Sequence, residues 1–184
     1  GTGRIIGFLE SRVTSATGVD VSESMMTVAR KKTTRANLLL ADITSSTALE
    51  GRQFNLITAF RFFPNAQDGL RREALAALMQ HLSNDGCLVF NNHLQRSSLT
   101  SRLLRLWGRL RGSKPVPGMT MEEVQQLLSG AGLRIIDACH WGVIPATDKY
   151  IPLPSRWLAA IEALLGRYRV LRPLAQNVIF VCGK

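Results

Sequence analysis

Short apolar runs of strand length alternate with longer segments of helical periodicity along this chain. The runs that predict strands are residues 13–21, 37–43, 54–60, 87–90, 133–136 and 176–182. The segments that predict helices are residues 22–32, 70–82, 97–111, 120–131 and 155–169. Strands that alternate with helices form mostly parallel sheets covered on both faces. The pattern therefore predicts one doubly wound α/β domain with three layers, helix, sheet and helix.

Boundary residues support several of these elements. Ser22 is suited to be a helix N-cap, with Glu23 in the first turn. Residues 120–123, Thr-Met-Glu-Glu, form the pattern of a capping box, and Gly132 is placed to end that helix. Asn84-Asp85-Gly86 predicts a turn before the strand at 87–90.

Length and composition favour one globular domain over residues 1–184. The chain is 46% hydrophobic and 20% charged, which provides enough apolar side chains for a sizeable core. Its longest apolar runs are too short to span a bilayer, and its start lacks the layout of a secretory signal. The three cysteines are scattered without CxxC spacing, which favours reduced, buried thiols. We therefore expect a cytoplasmic protein.

The formal net charge is +10, and the positive charge is unevenly distributed. No acidic residue lies between Asp85 and Glu122, whereas six basic residues do: Arg96, Arg102, Arg105, Arg109, Arg111 and Lys114. Such a stretch attracts anions, which include a phosphorylated or carboxylated acceptor, a membrane surface and nucleic acid. A solvated basic face with no partner is the alternative.

Candidate binding residues occur where predicted strands end. The chain opens on a Gly-x-Gly turn, Asp20 closes the strand 17 residues after Gly3, and Asp42 lies at the end of the next strand. In doubly wound sheets, ligands bind beyond the carboxyl ends of the strands. An ionised carboxylate has two acceptor oxygens for the hydroxyl groups of a ribose, and a second Asp can accept from the amine of adenine. This order of residues predicts an adenosine-binding site.

Five stretches resemble the successive motifs of class I S-adenosylmethionine-dependent methyltransferases: GTGR, TGVDVSESMMTVAR, LLLADI, FNLITAF and NDGCLVF. The downstream helix TMEEVQQLLSGAGLRII and the final strand AQNVIFVCGK extend the resemblance to nearly the whole chain. The resemblance implies a Rossmann-like fold whose final strand pairs antiparallel near the sheet edge. It also implies S-adenosylmethionine as the cofactor and methyl transfer as the activity.

The resemblance further implies cofactor roles for particular residues. Gly1 and Gly3 resemble the last two glycines of the cofactor loop, and Asp20 resembles the ribose ligand. The remaining implied cofactor-binding residues are Val21, Met25, Asp42 with Ile43 at the adenine, and Phe60 with Arg61 near the methionine part.

Two comparisons with related patterns complete this interpretation. In the family, a strand with an acidic residue and a first glycine precedes the loop, so we expect this domain to be truncated at its N-terminus. A nicotinamide-binding Rossmann domain is the nearest alternative, but its G-x-G-x-x-G/A fingerprint requires a small residue where Ile6 stands.

Methyl transfer requires little acid–base catalysis by the protein, because the sulfonium already activates the methyl carbon. His93 follows the strand at 87–90 and is the candidate general base, or a histidine hydrogen-bonded within a loop. Asn91 and Asn92 could orient a substrate. His81 and His140 lie in other elements, and the sequence shows no set of metal ligands.

The acceptor is expected beneath a lid or substrate insertion at residues 94–118. Its predicted helix, residues 97–111, places leucines on one face and arginines on another, which is typical of an ordinary packed helix, a lid or a membrane-surface helix. No Asn/Asp-Pro-Pro-aromatic motif is present. The sequence thus favours a small-molecule acceptor, lipid-like or quinone-like, without a stable protein partner. An RNA acceptor and a non-catalytic binding protein are the alternatives.

Overall fold

The computed structural model describes residues 1–45, 47–98, 101–103, 105–106, 112, 118–143, 155–165 and 168–184. The chain groups into two compact units. The first comprises Gly1–Arg52 and Ala76–His81, and the second comprises Gln53–Leu75 and Leu82–Lys184. A single domain over residues 1–184 stays a prediction.

The first unit contains two parallel strands and two helices. Its elements are α1 (Arg4–Leu9), β1 (Thr17–Asp20), α2 (Glu23–Arg30) and β2 (Asn37–Leu40). The strands pair from Thr17 opposite Asn37 to Asp20 opposite Leu40. The Ser22 hydroxyl accepts a hydrogen bond from the Met25 N–H, which confirms the predicted N-cap. Both strands are shorter than their apolar runs, because the strands end where pairing between them ends.

Two glycines of α1 allow close packing in this unit. Gly3, the N-cap, has φ 74°, and a Cβ built on it would lie 2.8 Å from Ala29 Cα. A Cβ on Gly7 would lie 2.9 Å from the Lys32 carbonyl oxygen. Any larger side chain at either position would therefore separate α1 from the end of α2.

A buried carboxylate connects the end of α1 to the segment before β2. Glu10 accepts hydrogen bonds from the N–H groups of Thr34, Arg35 and Ala36 at 3.0, 2.8 and 2.9 Å. These hydrogen bonds lower the pKa of Glu10 below its ordinary value, and the bond from the Arg35 N–H has the largest effect. The carboxylate thus serves as a structural anchor.

The second unit contains a four-stranded sheet. Its strands are β3 (Phe54–Ala59), β4 (Leu82–His93), β5 (Arg134–Trp141) and β6 (Asn177–Gly183). Its helices are α4 (Met121–Gly130) and α5 (Ser155–Leu165), with 3₁₀ turns at Phe63–Asn65 and Arg169–Leu174; α3 (Asp68–His81) begins in this unit. The strand order is β3-β4-β6-β5, and β6 runs opposite to the other three. The predicted final antiparallel strand beside the sheet edge is confirmed.

Three phenylalanines form the centre of this unit's core. Phe63, in the turn after β3, packs edge-on against Phe90 of β4 with ring centroids 5.2 Å apart. Phe90 packs at the same distance against Phe180 of β6, and all three rings are fully buried. Because they join the turn to both strands, these rings hold the backbone that follows β3 against the sheet.

The turn predicted at Asn84–Gly86 lies inside β4. Phe54 pairs with Leu82, and the next paired residues are Leu56 and Cys87. The intervening Asn-Asp-Gly residues therefore occupy an irregularity in the ladder, as in a bulge. The prediction of a separate turn is wrong because β4 pairs with β3 on both sides of these residues.

Helix boundaries in this unit follow local chemistry. The Thr120 hydroxyl accepts from the Glu123 N–H at 3.1 Å while the Glu123 carboxylate accepts from the Thr120 N–H at 2.8 Å, which confirms the capping box. The helix predicted over residues 97–111 lies partly outside the described residues. Within that range, residues 101–103 and 105–106 are helical. Within the described part of the chain, no helix has the length and apolar character needed to cross a membrane.

Candidate cofactor and acceptor site

Asp20 is the first predicted site residue, and it lies at the carboxyl end of β1. One carboxylate oxygen accepts a hydrogen bond from the Ser22 N–H at 2.8 Å, which fixes the start of α2. The other contacts the Gly1 amino group. A Cβ built on Gly1 would meet nothing within 4 Å. The structure thus places Asp20 next to the glycine turn at residues 1–3.

Apolar side chains near Asp20 are exposed. Val21 follows it in the chain, Leu40 is its partner on β2, and Met25 lies in the first turn of α2; all three are exposed to solvent. A carboxylate beside uncovered apolar side chains suits a ligand with hydroxyl groups and a flat apolar ring. These residues fit an adenosine group, whose ribose and purine have that chemistry.

Asp42 follows β2 and has a local structural role. One of its carboxylate oxygens accepts from the Thr44 N–H at 2.9 Å and from the Thr44 hydroxyl at 2.7 Å. These bonds lower the pKa of Asp42, so its side chain is ionised at neutral pH. Ile43, beside it, is half-buried. The predicted adenine contacts of this pair stay predictions.

Gly3 has a packing function that the sequence did not indicate. Its positive φ and its close approach to Ala29 require glycine whether or not a ligand is bound. Gly3 and its packing partner Ala29 are separated by 26 residues along the chain. No local signal identifies such a contact.

Arg61, in the second unit, is the second residue after β3 and has an unusual backbone conformation. Its φ of 60° lies in the left-handed region, which costs a non-glycine residue roughly 1–2 kcal/mol. Its N–H donates to the Asn91 side-chain oxygen at 2.6 Å, and its carbonyl accepts from the Asn65 side-chain amide at 2.6 Å. Two asparagines therefore hold this conformation at the carboxyl edge of the sheet, beside the half-buried Phe60.

His93 ends β4, two residues beyond Asn91, and is half-buried. Its Nδ1 atom is buried and has no hydrogen-bond partner among the described residues. Burial, and then the positive charge of Arg61, lower the pKa of His93 below 6.5. The ring is therefore neutral at pH 7, as a proton acceptor must be.

Asn92 has a role that sequence reasoning missed. Its amide donates to the Met119 carbonyl at 2.8 Å, its oxygen accepts from the Met119 N–H at 3.0 Å, and the side chain is fully buried. Asn92 therefore binds backbone 27 residues away, as a strand partner would. It holds residue 119 against the end of β4. Its side-chain nitrogen and oxygen both bind the Met119 backbone, so neither is directed to a substrate.

The other two histidines lie in different elements. His140 lies on β5 opposite Val178, and its Nδ1 is likewise buried without a partner among the described residues. His81 ends α3, with Nδ1 3.0 Å from the Arg52 carbonyl oxygen. Within the described ranges, no cluster of three His, Cys, Asp or Glu side chains could hold a metal ion.

This chain was compared with family profiles, curated sequences and solved structures. A family profile described as a methyltransferase domain matches residues 1–86. A comparison with curated protein sequences finds no match.

Solved structures match over nearly the full length. A Thermotoga maritima S-adenosylmethionine-dependent methyltransferase, described as a possible histamine N-methyltransferase, is 19% identical with TM-score 0.68 over 100% of this chain and 77% of that one. Magnesium protoporphyrin IX methyltransferase of Synechocystis, with bound S-adenosylhomocysteine, is 12% identical with TM-score 0.68 over 99% and 69%. A TehB-like methyltransferase of Corynebacterium glutamicum is 17% identical with TM-score 0.62 over 100% and 76%. These likenesses confirm the predicted Rossmann-like fold.

Proposed function

We propose that this chain is a class I S-adenosylmethionine-dependent methyltransferase and transfers a methyl group from S-adenosylmethionine to a small-molecule acceptor. The observation that carries the proposal is the position of Asp20 at the carboxyl end of β1, with exposed apolar side chains nearby. The bound S-adenosylhomocysteine of the Synechocystis enzyme, which has the same fold, supports the choice of cofactor.

Each implied binding residue has a definite task in this proposal. Asp20 accepts hydrogen bonds from the ribose hydroxyls, with Val21 and Met25 beside the sugar and base. Gly1 and Gly3 let the backbone approach the ligand. The remaining residues are Asp42 and Ile43 at the adenine, and Phe60 and Arg61 near the methionine part.

The cofactor supplies an electrophilic methyl carbon on a sulfonium sulfur. Bound S-adenosylmethionine would supply this methyl group to a lone pair of the acceptor and would leave as S-adenosylhomocysteine with the electron pair of the carbon–sulfur bond. A hydroxyl acceptor must also lose a proton, which His93 takes as a neutral imidazole. The lowered pKa of His93 keeps the ring in that form. Orientation of the acceptor is the protein's main contribution and is worth roughly 7–11 kcal/mol.

Two arginines of the basic stretch support the proposed acceptor class. Arg96 forms an ion pair with Glu123 at 2.9 Å, and Arg105 donates to the Arg96 carbonyl at 2.7 Å. Because these two arginines already have intramolecular partners, they are less available to nucleic-acid phosphates, which favours a small, lipid-like or quinone-like acceptor over RNA. An RNA acceptor and a non-catalytic binding protein are the competing functions.

Calorimetry with S-adenosylhomocysteine tests the cofactor assignment. Wild type should bind in the micromolar range, and Asp20→Asn should bind at least tenfold more weakly, because the amide retains one acceptor oxygen for Ser22 but lacks the charge. Glu23→Gln is the matched control, since it removes the next acidic charge along the chain and should bind like wild type. Equal affinity of Asp20→Asn and wild type would contradict the ribose assignment, and no binding by wild type would favour the non-catalytic protein.

Labelled methyl transfer tests the acceptor. The protein is incubated with methyl-labelled S-adenosylmethionine and either a small-molecule extract or total RNA. Label in extractable small molecules supports the proposal, whereas label confined to RNA would establish the competing acceptor.

A further inference from the structure

Asn91 and His93 lie on one face of β4 at its carboxyl end. They are two positions apart, and side chains at alternate positions of a strand lie on the same face. Two residues of a strand span about 7 Å. This spacing accommodates one atom of a ligand that makes a hydrogen bond of about 2.9 Å to each side chain. The pair also lies at the edge of the sheet where ligands bind in folds of this type.

The Asn91 amide has a fixed orientation. Its oxygen accepts from the Arg61 N–H at 2.6 Å, and because a backbone N–H only donates, the atom that faces Arg61 is the oxygen. The amide nitrogen therefore faces away from Arg61. This nitrogen has no hydrogen-bond partner among the described residues and is open to solvent, although Asn91 as a whole is buried. Asn91 thus provides a free N–H donor at this edge.

His93 provides the complementary acceptor. Its Nδ1 atom is buried without a partner in the described part of the chain, so Nε2 is the ring nitrogen that a ligand can reach. Burial, and then the positive charge of Arg61, lower the pKa of His93, so the ring is neutral at pH 7. With its proton on Nδ1, the neutral ring has its lone pair on Nε2. The two side chains together form a site with one donor and one acceptor.

We propose that the Asn91 amide nitrogen and His93 Nε2 bind one hydroxyl group of the acceptor, so that this chain methylates oxygen and not nitrogen. The inference rests on the proposed methyl transfer and identifies the atom that receives the methyl group. A hydroxyl has an O–H to donate to His93, one lone pair to accept from Asn91 and a second lone pair for the methyl carbon. On transfer, the proton goes to Nε2, the second lone pair forms the carbon–oxygen bond, and the electron pair of the broken carbon–sulfur bond leaves with the sulfur.

An amine does not match these two groups. Its nitrogen has a single lone pair, which bonds to the methyl carbon, so no lone pair remains to accept from Asn91. The N–H groups of Asn91 would then face the N–H groups of the amine, donor against donor. An aliphatic amine is also an ammonium ion at neutral pH, and the positive charge of the exposed Arg61 beside His93 would repel it.

The methylated product of the wild-type chain tests the inference. The full chain is incubated with S-adenosylmethionine that carries a carbon-13 methyl group and with a small-molecule extract. The carbon-13 chemical shift separates O-methyl from N-methyl products, and alkaline hydrolysis separates methyl esters from ethers. We expect methyl ethers. Methyl esters or N-methyl products would overturn the inference and leave the proposed methyl transfer standing, whereas the absence of any labelled product would contradict both.

Asn91→Asp separates the amide donor from the structural role of Asn91. The aspartate retains an oxygen for the Arg61 N–H but has a carboxylate oxygen in place of the amide nitrogen. The initial rate of ether formation should decrease at least tenfold, because an acceptor then faces the lone pair of the hydroxyl. Affinity for S-adenosylhomocysteine in calorimetry should stay within threefold of wild type. The remaining label should contain a larger N-methyl fraction, since a carboxylate accepts from N–H groups.

Asn55→Asp is the matched control. Asn55 is exposed at the amino end of β3, and its amide donates to the Ser83 hydroxyl, so the substitution adds the same charge at the other end of the sheet. Its rate of ether formation should stay within twofold of wild type. Ether formation by Asn91→Asp at the wild-type rate, or equal losses in both variants, would overturn the role of the Asn91 nitrogen. Urea unfolding shows whether each variant is folded, and the wild-type product decides the inference even where a variant is unstable.

Discussion

The side-chain oxygen of Asn91 accepts a hydrogen bond from the Arg61 N–H at 2.6 Å, and Arg61 has φ 60°. The bond joins the last part of β4 to the second residue after the edge strand β3. It holds a conformation that an arginine rarely adopts in isolation. The fold thus contains a preorganised backbone position at the edge where ligands bind in sheets of this type.

Replacing Arg61 separates backbone strain from side-chain function. Arg61→Gly should leave the free energy of unfolding unchanged or raise it by up to about 1 kcal/mol, because glycine adopts positive φ without steric cost. Arg61→Ala retains the strain and should not be stabilised. Both variants lack the guanidinium and should bind S-adenosylhomocysteine equally weakly. Urea unfolding and calorimetry measure the two effects, and a more stable Ala than Gly variant would contradict the strain argument.

Asn92→Leu should destabilise the protein by at least about 2 kcal/mol. The substitution leaves the Met119 N–H and carbonyl buried without their partner, and each such group costs about 1–3 kcal/mol. Asn55→Leu is the matched control, since Asn55 is exposed and its amide donates to the Ser83 hydroxyl; its effect should stay within about 0.5 kcal/mol. Urea midpoints at equal m-values give the comparison, and equal effects would show that Asn92 does not hold residue 119.

Gly7→Ala should lower stability by about 1–3 kcal/mol, because its Cβ would lie 2.9 Å from the backbone oxygen of Lys32. Gly130→Ala provides the opposite case, since a Cβ there meets nothing within 4 Å at the end of α4. It should raise stability by up to about 1 kcal/mol through helix propensity. Thermal unfolding of the two variants should thus shift in opposite directions, and a shift in the same direction would refute the packing argument.

Acid should destabilise the protein through His93. Its folded-state pKa lies below the ordinary value of 6.5, so the unfolded chain binds its proton first as the pH falls. The stability contributed by the neutral ring is complete above pH 6.5 and decreases as the pH falls from there toward the lower folded pKa. His93→Gln should therefore narrow the difference in unfolding midpoint between pH 8 and pH 5. His140, whose pKa is also lowered, should add to the effect when both are replaced; an unchanged pH dependence in the double variant would contradict the prediction.

Features governed by neighbouring residues were predictable. The Ser22 cap, the Thr120–Glu123 capping box and the stop at Gly132, which has φ 70°, each depend on residues within one helical turn. The order of helices and strands from β1 onward followed from periodicity for the same reason, whereas helix α1 (Arg4–Leu9) was not predicted. Asp20 was recognisable because it stands where a strand ends.

Contacts between distant segments were not predictable from the sequence. The Asn84–Gly86 stretch has the composition of a turn, yet pairing with β3 on both sides keeps it within a strand. Asn91 and Asn92 are identical neighbours, and alternation along the strand sends one to Arg61 and the other to Met119.

By itself, then, the sequence determined the alternation of elements, their caps and the family motifs, because these depend on spacing along the chain. Only the tertiary structure decided that Gly3 packs against Ala29, that Arg61 is held at positive φ, and that α5 turns Glu162 inward and Trp157 outward. Each of these depends on which distant backbone group lies within about 3 Å, and chain spacing carries no information about that distance.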